Sequence, residues 1–160
     1  MFNFLRIIVT FNILILANLL PAQERIQALD HGVTLRINYR PFLANEHKIT
    51  LCENHPCLID AKLFYGSDGT MPKTQFNFIT FETKGRSITL DVSSMYEADV
   101  YQNFKLEKHD RVFILTGKFS DGAGAYIAQW MINEYGSVRT HLSNGEHLYK
   151  MTQRARKIKD

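Results

Sequence analysis

Proton transfer at neutral pH would fall first to six histidines, His31, His47, His55, His109, His141 and His147. They are scattered, and no neighbouring residues supply the base-and-orienter pattern that catalysis needs. His141 and His147, six residues apart, would not share one helical face. Among the 16 acids, Asp91, Glu97 and Asp99 are close enough in the chain to offer an acid–base pair. Chain spacing, however, does not set the carboxyl separation on which a glycosidase depends. Gly66-Ser67-Asp68-Gly69 looks superficially like a nucleophile elbow, but it has the composition of a turn and lacks the apolar strand-to-helix setting. There is no H-E-x-x-H, no phosphate-cradling loop and no D-x-D-x-D-G calcium loop. The expectation is a protein without enzymatic activity, cofactor or metal. A hydrolase using carboxylates or histidines is the alternative class.

Cys52 and Cys57 are the only two cysteines. Four residues separate them, Glu53-Asn54-His55-Pro56, which suits a hairpin tip. Zinc bound by Cys52, His55 and Cys57 would want a fourth donor that the spacing does not supply. A disulfide is expected, because the start of the chain reads as an export signal. Met1 to Arg6 carries one cation, Ile7 to Leu20 is almost wholly apolar, and small Ala22 precedes a plausible cleavage point. The apolar run is shorter than the ~20 residues that span a bilayer. Residues 1–22 are therefore expected to be a signal peptide, and residues 23–160 one exported domain, periplasmic or extracellular.

The chain holds 19 basic and 16 acidic residues, and loss of Arg6 with the leader leaves the domain at +2. Such a balance excludes nucleic acid as a partner for the whole body. The excess lies at the end, where Lys150, Arg154, Arg156, Lys157 and Lys159 face only Asp160. Ser143 and Glu146 form a capping box, and Leu148, Met151, Ala155 and Ile158 recur at helical steps. A short basic helix from about residue 144 is predicted. Membrane contact is expected through the leader, and at most weakly through this helix.

Elsewhere β-type patterning dominates. Strands are predicted at Val33–Tyr39, Lys48–Cys52, Cys57–Tyr65, Gln75–Glu82, Ser87–Ser93, Arg111–Phe119, Ala125–Asn133 and Ser137–Leu142, with Gly, Ser and Asp turns between them. Arg111–Phe119 is apolar on both faces, which predicts a central strand covered on both sides. Ser93–Asn103 reads as a turn or a bridging helix. Leu63–Ser93 and Phe113–Ser143 share a strand–turn–strand–turn–strand rhythm, which reads either as a pair of meanders or as hairpins that reuse Ser, Asp and Gly wherever they turn. The predicted fold is all-β, mainly antiparallel, an eight-stranded sandwich or barrel with a short C-terminal helix.

Loops on such a scaffold commonly carry recognition. In the candidate binding loop of Ser120, Asp121, Gly122 and Gly124 the two glycines let a partner's backbone approach closely, and Tyr126 beside them is a candidate anchor. Tyr126 filling the core is the structural alternative. Gly122-Ala123-Gly124-Ala125-Tyr126 and Phe81-Glu82-Thr83-Lys84-Gly85 resemble fragments of small bacterial periplasmic lysozyme inhibitors. Those are exported, often disulfide-bearing β domains that put a loop into a hydrolase's cleft. The resemblance implies one inhibitory surface from Ser120–Tyr126 together with Thr83, Lys84 and Arg86, and a protein partner. An immunity protein is a related form. A carrier of a small apolar ligand is the other binding reading, with Phe76, Phe78, Phe81, Phe113, Phe119 and Trp130 lining a barrel cavity.

Overall fold

The computed structural model describes residues 21–100 and 102–144. Within them run ten strands: β1 Gln23–Leu29, β2 Val33–Pro41, β3 Ile49–Cys52, β4 His55–Ile59, β5 Thr74–Thr83, β6 Arg86–Leu90, β7 Gln102–His109, β8 Val112–Phe119, β9 Tyr126–Asn133 and β10 Gly136–Asn144. All pair antiparallel. One sheet has the order β1-β2-β5-β6, the second β7-β8-β9-β10, and β3-β4 is a separate hairpin. The predicted all-β antiparallel class holds, and the architecture is a sandwich without barrel closure.

Period-two alternation explains the layering. Val33, Leu35, Ile37 and Tyr39 of β2 and Ile79 and Phe81 of β5 are buried facing Leu115, Phe119, Ala128, Trp130 and Ile132 of the second sheet. Phe119 sits among rings: it stacks on Tyr126 at 5.0 Å and meets Phe76, Phe104 and Trp130 edge-on. Edge-to-face aromatic contacts of this kind add to the gain from burial.

Along one side the two sheets are joined by side chains rather than by a β ladder. Ser137 Oγ on β10 donates to Thr89 O at 3.1 Å, and Arg139 donates to Ser93 O at 2.6 Å. Trp130 Nε1 donates to Asp91 O at 2.9 Å. A bulge between Arg139 and His141 shifts the register of β10 beside these contacts.

Several sequence expectations need correction. β8 is central, between β7 and β9, but its outer face is not covered by the described residues: Val112, Ile114 and Thr116 are half-buried and Lys118 is exposed. The segment 63–93 is not a three-stranded meander, because β4 ends at Ile59 and pairs with β3. Ser143 lies inside β10 rather than capping a helix. The predicted helix beyond it, and the leader apart from its last two residues, fall outside the described residues. Ser93–Asn103 contains turns and the start of β7. No helix among the described residues is long and apolar enough to cross a membrane.

Cys52 and Cys57 form a disulfide across the β3–β4 hairpin, with Cα atoms 5.6 Å apart. This hairpin and its flanks close over a second, smaller core of Phe42, Ile59 and Tyr96 with Ile49 and Phe64 packed against it.

Candidate functional site

The hairpin turns β1–β2, β5–β6, β7–β8 and β9–β10 converge on one end of the sandwich, where His31, Lys84, Asp110 and Glu134 line a common cavity of about 410 Å³. Tight turns require left-handed residues, and His31, Lys84 and Asp110 all have positive φ, as do Gly32 and Gly85 beside the first two and Gly136 in the β9–β10 turn. The turns thereby hold their side chains around a fixed mouth.

The floor of this cup is apolar. Phe81 and Ile132 are buried, Ile88 and Phe113 half-buried, and Phe81 lies 5.3 Å from Phe113 between ring centroids. Its rim is basic: Lys84, Arg86, Lys108 and Arg111 line it together with only two carboxylates, Asp110 and Glu134. Among the described residues, none of these four cations is ion-paired. Lys108 Nζ lies 5.7 Å from the centre of the Phe113 ring, the geometry of a cation–π contact.

Of the residues predicted for binding, Thr83, Lys84 and Arg86 belong to this cup. Ser120, Asp121, Gly122 and Gly124 do not. They line a cleft at the opposite end with Gly66, Asp68, Lys73, Glu97 and Asp99. The length of β8 lies between, about 23 Å at strand rise. The single surface implied by the resemblance is therefore divided between two ends. Tyr126 is not at the surface at all. It is fully buried, and its hydroxyl donates to Tyr96 O at 3.0 Å. Ser120 Oγ likewise donates to Gly66 O at 3.2 Å, fastening the loop to its neighbour.

The far cleft gathers Asp68, Glu97, Asp99 and Asp121 around Lys73. Burial pushes the Glu97 carboxyl above its ordinary value, and the Lys73 N–H, 3.0 Å away, acts against that rise. Glu97 and Asp99 thus share a site, whereas Asp91 lies apart, 3.1 Å from Arg139 at the sheet edge. The molecule is acidic at one end and basic at the other.

A histidine pairing that sequence spacing did not reveal lies beside the small core. His47 stacks on Phe42 at 4.7 Å, and its Nδ1 is 2.7 Å from Asp60 Oδ2. That bond and the Lys48 N–H hold the Asp60 carboxyl below its ordinary value. The hydrogen-bond network turns the Gln75 amide nitrogen toward His47 Nε2 at 2.9 Å, with Gln75 Oε1 accepting from Arg40 at 2.7 and 2.9 Å. Arg40 in turn donates to Glu46 at 2.6 Å. Asp60 orients the imidazole as an activating carboxylate would, but Gln75 occupies the second nitrogen.

Among the described residues, no group of three His, Cys, Asp or Glu side chains could hold a metal ion. Phe76 and Trp130 each pack on Phe119 rather than lining a barrel cavity. Of the six aromatics proposed for that lining, Phe81 and Phe113 reach the cup. Sequence reading missed His31, Lys108, Arg111, Ile88 and Ile132. The available signal was the placing of cations within two residues of each tight turn, in Lys84-Gly85-Arg86 and Lys108-His109-Asp110-Arg111. No family model matches the chain, and no curated protein or solved structure matches it either.

Proposed function

We propose that the protein is an exported, non-enzymatic binding domain that receives a small ligand in the cup between its hairpin turns. One observation carries the reading: an apolar floor of Phe81, Ile88, Phe113 and Ile132 opens to solvent through a polar rim. A concave apolar site with a few polar groups at its mouth is the usual form of a small-molecule site, and about 410 Å³ lies in the range of such sites. The leader-like start and the Cys52–Cys57 disulfide support an oxidising, exported setting. An inhibitor of a cleft-bearing hydrolase inserts a projecting loop, whereas the cup is built to receive. The carrier reading is therefore preferred to the inhibitor reading, in a shallower form than a ligand enclosed by a barrel.

A protein partner is the second reading. Tyr135, at the β9–β10 turn beside the cup, is 89 % exposed, and aromatic side chains of this kind serve as interface anchors. Native mass spectrometry of the protein purified from its own environment separates the two. Under the carrier reading a small mass stays bound to the parent and is lost from Phe113→Ser, while Tyr135→Ala and Asp121→Lys retain it. Retention by a folded Phe113→Ser variant would overturn the carrier reading. A protein partner lost only with Tyr135→Ala would establish the second reading.

A further inference from the structure

We infer that the ligand of the cup is a small organic anion with one acidic head and one compact apolar body, an aromatic ring or a short alkyl chain. This rests on the proposal that the cup is the recognition site and names the chemistry it selects. The two halves of the inference come from separate observations.

Depth sets the body. Phe81 on the floor and Thr83 at the mouth are two residues apart on β5, about 7 Å at strand rise. Beneath the floor, Ile79, Leu115 and Trp130 are fully buried, and the core is closed. A long acyl chain would have nowhere to go, while a single ring would lie against Phe81 and Phe113. Those two rings, tilted at 55° to each other, already use the offset aromatic geometry that a third ring could extend.

Charge sets the head. Four cations against two carboxylates leave the rim positive, and none of the four is held in an ion pair among the described residues. Lys108 approaches a ring face, as a cation does where carboxylates are scarce. The far end carries Asp68, Glu97, Asp99 and Asp121 against Lys73, so the field along the molecule draws an anion toward the cup and away from the other cleft. A polyanion would match the rim but leave the apolar floor unused. A neutral hydrocarbon would use the floor but leave the cations without a partner.

The test is a titration followed by backbone amide NMR, with 3-phenylpropionate as probe and 3-phenylpropan-1-ol, acetate and octadecanoate as comparators. 3-Phenylpropionate is expected to give saturable shifts confined to residues 31, 83–88, 108–113 and 132–134. It should bind at least tenfold more tightly than the alcohol or acetate, and more weakly as salt rises. The paired charge reversal Lys84→Glu with Arg111→Glu, at exposed positions where folding is retained, should weaken it tenfold or more and leave the alcohol unchanged. Equal affinity for acid and alcohol would overturn the anionic head while leaving the cup as the site. Tighter binding of octadecanoate would overturn the compact body. Shifts centred on residues 66–73 and 120–124 would overturn the cup itself. Binding to phosphatidylglycerol vesicles without binding to the free acid would assign the basic rim to a membrane surface and sink the inference.

Discussion

Gly124 lies directly against the carbonyl of Gly66: a β-carbon on Gly124 would stand 2.6 Å from that oxygen and 3.1 Å from its carbon. Both atoms are backbone and cannot swing aside. The expected binding loop is thus locked to the Gly66 loop through Ser120, while Tyr126 ties its end to the Tyr96 carbonyl.

Gly124→Ala should therefore destabilise the fold, by about 1–3 kcal/mol as overpacking usually does. Gly122→Ala meets nothing within 4 Å and strains only a left-handed φ of +54°, for a cost of roughly 1–2 kcal/mol or less. Urea unfolding of the two variants should rank Gly124→Ala as the less stable. The opposite order would mean that the Gly66 contact does not hold this loop.

Eight of the ten strands were legible as β-branched and aromatic runs between turn formers, with clean alternation in β2 and β9. β1 and β7 were not, for a shared physical reason. Each is an edge strand that interrupts the β pattern with charges, Glu24 and Arg25 in β1 and Lys105, Glu107 and Lys108 in β7, whereas the edge strands β6 and β10 carry one charge each among β-branched residues. β1 is mostly exposed, and the ladder partners of buried Leu35, Ile37 and Tyr39 are Gln27, Arg25 and Gln23. β7 buries Phe104 but has Lys105, Glu107 and Lys108 exposed. The disulfide was legible from the cysteine spacing and the leader-like start of the sequence. The cup was visible only in part, since pairing Lys84 with Lys108 and Arg111 requires knowing that the β5–β6 and β7–β8 turns share an end. His47 and Asp60, 13 residues apart, come together only when the β3–β4 hairpin folds back.

Replacing both cysteines, Cys52→Ser with Cys57→Ser, should cost no more than about 2 kcal/mol, because the loop it opens is short. The loss should be local. The hairpin rests on the small core of Phe42, Ile59 and Tyr96, apart from the main sandwich. Hydrogen exchange should accelerate across residues 49–59 and stay slow in β8 and β9. Equal acceleration in both regions would show that the two cores unfold as one unit.

Glu97 and Asp60 should pull stability in opposite directions with pH. Asp60 has its folded pKa depressed by the His47 bond, so its contribution is present above the unfolded value of about 3.9 and fades as pH falls through the folded one. Burial raises the folded pKa of Glu97 instead, so its contribution is complete below about 4.3 and is lost as pH rises through the folded value. Glu97→Gln keeps an oxygen for the Lys73 N–H and removes the buried charge. Its Tm should exceed that of the parent at pH 7 and converge with it near pH 3. Asp60→Asn should lower Tm at pH 7 and converge with the parent only at lower pH than Glu97→Gln does, because the folded Asp60 pKa is depressed. A Glu97→Gln variant less stable than the parent at pH 7 would show that its carboxylate is needed charged.

The seam between the sheets gives the last prediction, because two kinds of bond meet at Arg139. Its guanidinium donates to the Ser93 carbonyl at 2.6 Å and the Ser93 hydroxyl at 3.1 Å, and it is paired with the Asp91 carboxylate at 3.1 Å. The Arg139 side chain is only 15 % exposed, whereas that of Asp91 is 51 % exposed. Solvent screens the ion pair, which should be worth about 1 kcal/mol or less. The bond to the carbonyl is charge-assisted at a partly buried donor, and such bonds contribute about 1.5–3 kcal/mol. Arg139→Met, which keeps the apolar stem, should therefore destabilise considerably more than Asp91→Asn, which can still accept from the Ser93 N–H at 2.9 Å. In a double-mutant cycle the coupling between the two positions should stay below about 1 kcal/mol. A coupling as large as the whole effect of Arg139→Met would place the seam's strength in the ion pair. Capture of the β6 end by a partly buried guanidinium would then no longer explain how the sandwich is held together along this edge without a ladder.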